Sequence, residues 1–260
     1  MSIAEGRIDR GDWTEAVERA GPGWLVLFAS WARIEPERGR YDDAEVAVGR
    51  RALLAARKKG IEPVVVLHSG ALPDWQIARE GWLDPDALSA WGCFADHAAH
   101  HFGEQLRFWV SLWEPLAEAS WYDGESRRVA RLLLDAQSAA WLHLRKAPGP
   151  GGRIGAIGVV ERWGAATRRA WVPGVDADPA DALIEVLATG KLKPPFGSMG
   201  ELPNGTPAVD WIGVSVEGDP APVLARTWAW GRSMVLINGP AAAATAARER
   251  GQRVIARVQG

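Results

Sequence analysis

Thiol chemistry is nearly missing from this chain of 260 residues: Cys93 is its single cysteine, so no internal disulfide can form and a reducing compartment is expected. Long basic runs are missing too, and the net charge is -2, which counts against nucleic acid or an anionic membrane surface as a partner. No apolar stretch approaches the ~18 residues of a membrane span. Met1 to Arg10 lack the apolar core of a signal peptide, so a soluble cytoplasmic protein is expected. Neither a G-x-G-x-x-G nor a Walker-type loop is found, which counts against a nucleotide enzyme, and no cofactor is expected. Ser69 and Ser111 lie in no G-x-S-x-G elbow, which removes a Ser-His-Asp reading.

Tyrosine and phenylalanine are scarce at two and five, yet there are fifteen tryptophans. Tryptophan fills cores, but its flat ring is also a platform on which sugars and planar ligands stack. The rest of the composition is globular, 47% hydrophobic and 24% charged. No compositional shift marks a boundary, so residues 1–260 read as a single domain.

Taken in order, Asp12 to Ala20 reads as a short helix, capped by Asp12 and ended by Gly21-Pro22-Gly23. Trp24 to Ala29 is apolar on both faces, as a parallel strand covered by helices must be. Arg33 to Glu37 reads as a loop, Ala44 to Lys59 as a helix with Gly60 after it, and Pro63 to Leu67 as the next buried strand. Asp86 to Phe102 and Ser126 to Lys146 are helices on either side of the strand Leu106 to Leu112. Ile154 to Val160 is a strand, Asp178 to Thr189 a helix, and Lys193 to Pro207 a long loop. Trp211 to Val216, Met234 to Ile237 and Val254 to Val258 are strands, with helices across Ala221 to Trp230 and Ala241 to Arg250. This alternation predicts a parallel sheet with right-handed crossovers, and its count favours a (β/α)8 TIM-like barrel over an open doubly wound sheet. Its first strand has only the poor segment Ser2 to Ile8, and no helix follows the last strand. An incomplete barrel, or one closed by a second copy or a partner protein, is therefore expected.

In such a barrel the chemistry lies at the C-terminal ends of the strands. Those ends carry Glu35, then His68 with Ser69 and Asp74, then Glu114, Glu161 with Arg162, Glu217 with Asp219, and Asn238. Glu114, Glu161 and Glu217 follow consecutive strands about 4.8 Å apart. They are the candidate carboxylates for acid, base or nucleophile work. Trp31, Trp75 and Trp113, with His68, Ser69 and Asn238, are the candidate ligand-contacting set. Cys93, Asp96, His97, His100 and His101 share one helix at metal-ligand spacing, but nothing elsewhere completes the set, and no metal is expected.

W-A-R-I-E-P-E-R-G-R-Y-D (Trp31 to Asp42), G-I-E-P-V-V-V-L-H (Gly60 to His68), L-P-D-W (Leu72 to Trp75), G-W-L (Gly81 to Leu83) and F-W-V-S-L-W-E-P (Phe108 to Pro115) occur in an order and spacing that resemble glycoside hydrolase family 1. Those are retaining β-glycosidases on a (β/α)8 barrel. The resemblance spans Trp24 to Gly124, and weaker echoes follow in A-L-I-E-V-L-A-T-G-K, D-W-I-G-V-S-V and M-V-L-I-N-G. It implies that Glu114 stands at the family's general acid/base. It also implies that several partners are replaced. The asparagine before the acid is Trp113, the sugar-contacting histidine is Ser69, and the arginine that braces the nucleophile is Val26. The nucleophile itself is Ile237, just before Asn238.

A retaining glycosidase needs one carboxyl to protonate the leaving oxygen and another to form the covalent intermediate. Ile237 cannot do the second. Three readings follow. The chain is a repurposed enzyme using Glu114 in a Trp-lined pocket, with Glu161 or Glu217 as second carboxylate. Or it is a non-catalytic barrel that binds a glycoside or an aromatic, hydrophobic compound or serves in a complex. Or it retains some O-glycosyl hydrolysis without the family nucleophile.

Overall fold

The computed structural model describes residues 6–9, 12–163, 179–197, 200–203, 207–216, 233–238 and 253–254. Its core is one parallel sheet. The strands are β1 (Gly6–Asp9), β2 (Gly23–Phe28), β3 (Ile61–His68), β4 (Phe108–Trp113), β5 (Ala156–Trp163), β8 (Trp211–Val216), β9 (Ser233–Asn238) and β10 (Arg253–Val254), hydrogen-bonded in that order. A separate antiparallel ribbon pairs β6 (Lys191–Leu192), just before the stretch expected to be loop, with β7 (Gly200–Glu201) inside it. The poor first strand does form, in register from Gly6 opposite Trp24 to Asp9 opposite Leu27. No pair joins β1 to β10 among the described residues, so the eight-stranded, (β/α)8 barrel-like sheet runs from one to the other.

Strand alternation explains why the apolar runs are continuous. On β2, Leu25 and Leu27 face the helices while Val26 joins the other side. The inner face collects Val26, Val64, Val66, Val110, Trp113, Val160 and Trp211. Its rings meet across β3, with Trp24 against Phe108 at 4.6 Å and Phe28 against Trp113 at 5.1 Å between centroids. Gly158 is glycine because a Cβ there would overlap the Trp211 ring. The outer layer packs the sheet against α1 (Trp13–Arg19), α3 (Asp43–Lys58), α5 (Ala87–Phe102), α7 (Ser126–Leu144) and α8 (Pro179–Thr189), with Trp91, Phe94 and Phe102 among its fully enclosed rings.

Helix ends follow the local chemistry. Asp12 accepts from the Thr14 and Glu15 amides and starts α1, and Asp42 does the same for α3 through Ala44 and Glu45. Gly60, at φ +73, takes the left-handed position after α3. One expectation is corrected. Arg33 and Ile34 are not loop but the end of a short helix α2 (Trp31–Ile34), because Ser30 accepts the Arg33 amide and caps it. A second short helix, α4 (Asp74–Ile77), follows β3. The expected helices across 221–230 and 241–250 lie outside the described residues. Among the described residues, no helix is long and apolar enough to cross a membrane.

Candidate ligand site at the strand mouths

The apolar run of β4 ends at Trp113, and the next residue leaves the sheet abruptly. Glu114 has φ 53 and ψ 52, a left-handed conformation costing a non-glycine residue roughly 1–2 kcal/mol. Its amide still completes the ladder, donating to the Val160 carbonyl at 2.7 Å. Pro115 then opens the short helix α6 (Pro115–Ala119), where its missing N–H costs nothing. This turn sets the Glu114 side chain beside β5, and Arg162 Nη2 donates to Glu114 Oε2 at 2.7 Å. The carboxylate is 14% exposed and the guanidinium 41%.

Glu161 goes the other way. Alternation along β5 puts it on the helix side with Ile157 and Val159, while Arg162 shares the inner side with Val160. It is buried at 1% exposure, with Oε1 accepting the Arg162 amide at 2.7 Å and Oε2 the Leu116 amide at 3.2 Å. Burial pushes its carboxyl up to about 8, against the pull of those two amides, and the negative charge of Glu114 adds to the rise. Of the three candidate carboxylates, Glu114 stands at the mouth, Glu161 is turned beneath α6, and Glu217 lies outside the described residues.

His68 also faces the helix layer. Its Nε2 is 2.7 Å from Glu118 Oε2, and Trp82 and Trp91 lie edge-on to its ring. The Trp82 indole donates to Glu118 Oε1 at 2.5 Å. Trp31 is enclosed, donating to Glu35 Oε2 at 2.6 Å and stacking on Phe94, so it sits in the core and not at the mouth. Glu35 is a structural acid, its second oxygen accepting the Gly39 amide at 2.7 Å. Trp75 is half-buried and donates to the Glu35 carbonyl at 2.9 Å. Ser69 is half-buried just past β3. Trp113 lies on the inner face against Phe28. Asn238 ends β9, its backbone in register with Ser215. The structure thus gathers Trp113 and Glu114 with Arg162, and sends His68, Trp31 and Glu161 to the outer layer.

The histidine-bearing helix α5 places His97 flat on Tyr41 at 3.7 Å and His101 4.3 Å from His97. Among the described residues, no three His, Cys, Asp or Glu side chains come together as a metal-ligand set. Two residues of the site escaped the sequence reading. Glu118 was signalled by its place four residues past Glu114, on the short helix that Pro115 opens. Phe28 was signalled by its place two residues beyond Val26 on the same strand face.

Over residues 25–124 the chain matches the model of Glycosyl hydrolase family 1. The chain is glycoside hydrolase family 1-like. Among curated proteins, this family 1-like chain is similar to one of Oryza sativa subsp. japonica named as a beta-glucosidase, at 36% identity over 108 residues, 40% of this chain and 36% of that protein. It is similar to human Klotho at 30% over 120 residues, 45% of this chain and 12% of Klotho. It therefore spans little more than a third, or less, of the length of these relatives. Two solved structures share the fold over 98% of this chain, each with a TM-score of 0.74. They are the beta-glycosidase from Pyrococcus horikoshii, 14% identical and covered to 83%, and the beta-glucosidase from Thermotoga maritima in complex with castanospermine, 13% identical and covered to 87%.

Proposed function

We propose that this family 1-like barrel is a pseudoglycosidase, which holds a glycoside or an aromatic compound at its strand mouths without cutting it by the retaining route. The observation that carries the reading is the engagement of Glu114 by Arg162. A general acid must present a proton to the leaving oxygen. Here the Glu114 carboxylate accepts from a guanidinium instead. Among the described residues no second carboxylate stands beside it, since Glu161 is turned away, and Ile237 stands where the resemblance puts the nucleophile. Trp113 and Phe28 add an apolar wall where a sugar-reading asparagine is expected. That wall suits the flat face of a ring.

The left-handed backbone of Glu114 favours a second reading, because strain of this kind is concentrated at working sites. On it, Glu114 is acid or base in an altered reaction, with Glu217 as its partner.

Native mass spectrometry of the protein purified from its host, followed by calorimetric titration with an aryl β-glucoside, tests the proposal. Binding without turnover, with the same lack of turnover in Glu114→Gln, is the expected result. Turnover that Glu114→Gln abolishes would establish the second reading and sink the first.

A further inference from the structure

Two buried carboxylates, Glu118 and Glu161, hold α6, and only Glu161 also touches the strand that carries the cation of the Glu114 pair. Its Oε1 takes the amide of Arg162 and its Oε2 the amide of Leu116, two residues beyond Glu114. We propose that Glu161 is the positioning residue of the Glu114–Arg162 pair, a buried acid that ties together the two backbone segments bearing those charges. The inference rests on the reading of Glu114 as the group at the centre of the site.

The unequal bonds describe how the tie works. Burial raises its carboxyl to about 8, which favours the protonated form at neutral pH. Its carbonyl oxygen is then the strong acceptor, consistent with the 2.7 Å bond to Arg162, and the hydroxyl side takes the weaker 3.2 Å bond to Leu116. Among the described residues, the charged groups facing it are Glu114, from the junction of β4 and α6, and Arg162, from β5; the first disfavours its ionisation and the second favours it. Once ionised, it holds the Arg162 and Leu116 amides as a full anion from the other side of β5, and the change at those two backbone segments reaches the Glu114–Arg162 pair.

The test needs no ligand. Protein carrying carboxyl-¹³C glutamate is titrated over about two pH units on either side of 8, with Glu114→Gln and Glu161→Gln assigning the two resonances. The amide introduced by Glu161→Gln keeps one carbonyl acceptor and cannot ionise. The expected result is a Glu161 resonance titrating near 8 and an inflection of the Glu114 resonance at the same pH, lost in Glu161→Gln. A Glu114 resonance that is flat through this region, or that keeps its inflection in Glu161→Gln, overturns the proposal. Should Glu161→Gln fail to fold, the Arg162 guanidinium N–H resonances of the wild-type protein decide: a shift with the Glu161 midpoint supports the tie and its absence overturns it. Absent ligand binding would sink the pseudoglycosidase reading and leave this titration unaffected.

Discussion

His68 and Glu118 meet at 2.7 Å with side chains 1% and 3% exposed, joining the end of β3 to α6. Glu118 also accepts the Trp82 indole, so one carboxylate links three segments of the C-terminal face. Removing Glu118 takes away the hydrogen-bond partner of the buried Trp82 indole and of His68 Nε2. A buried polar group left unsatisfied costs about 1–3 kcal/mol, so Glu118→Leu is expected to destabilise by at least that much, read from urea unfolding at neutral pH. A loss below about 1 kcal/mol would show that the pair does not hold the face together.

The Glu114–Arg162 pair is more open, and its guanidinium is 41% exposed. Solvent screens such pairs, so a double-mutant cycle through Glu114→Gln and Arg162→Gln is expected to give a coupling of about 0.2–1 kcal/mol at low salt. The coupling should shrink as salt is added. A coupling of zero at low salt would remove Arg162 as the partner of Glu114.

Much of this architecture was legible because a parallel barrel repeats one physical rule. Strands apolar on both faces, such as Trp24 to Ala29 and Pro63 to Leu67, sit between helices and the interior, and Asp12, Asp42 and Gly60 mark the helix ends. Glu114 was also legible, since a proline after an apolar run can only follow a strand's end. What escaped was direction. Glu161 and Arg162 are neighbours, and only the register of β5 decides which of them reaches the inside. The tryptophans divide the same way: Trp31 and Trp113 are alike in sequence, but one is locked against Glu35 in the helix layer and the other faces Phe28 inside. Arg33 and Ile34 carry no helical signal in sequence, because a helix of four residues leaves no periodicity to detect.

Acid should weaken the contact between Tyr41 and α5. Burial pulls the His97 imidazole from its ordinary 6.5 down to about 4, His101 and His100 add repulsion, and Asp43 and Asp96 pull the other way. The unfolded chain thus takes up the proton first. This contribution to stability is fully present above about 6.5 and is lost as the pH falls toward 4. His97→Phe keeps a flat ring on Tyr41 and cannot take a proton, so its melting temperature should fall less than that of the wild-type protein over this interval. Parallel curves would rule His97 out as a source of acid sensitivity.

Trp113 provides the sharpest test of the pseudoglycosidase reading. It is 7% exposed and stands edge-on to Phe28 at the end of β4. Trp113→Asn puts back the residue that the resemblance expects before the acid, but removes a large ring from a packed interior. Loss of a buried tryptophan costs about 3–5 kcal/mol, and the amide that replaces it needs hydrogen-bond partners among valines. On the pseudoglycosidase reading the variant should melt lower and fail to hydrolyse an aryl β-glucoside, because neither the Arg162 contact with Glu114 nor the isoleucine at position 237 is changed by it. Measurable hydrolysis by a folded Trp113→Asn protein would mean that one aromatic ring alone blocks an otherwise working site. The pseudoglycosidase reading would then have to be abandoned.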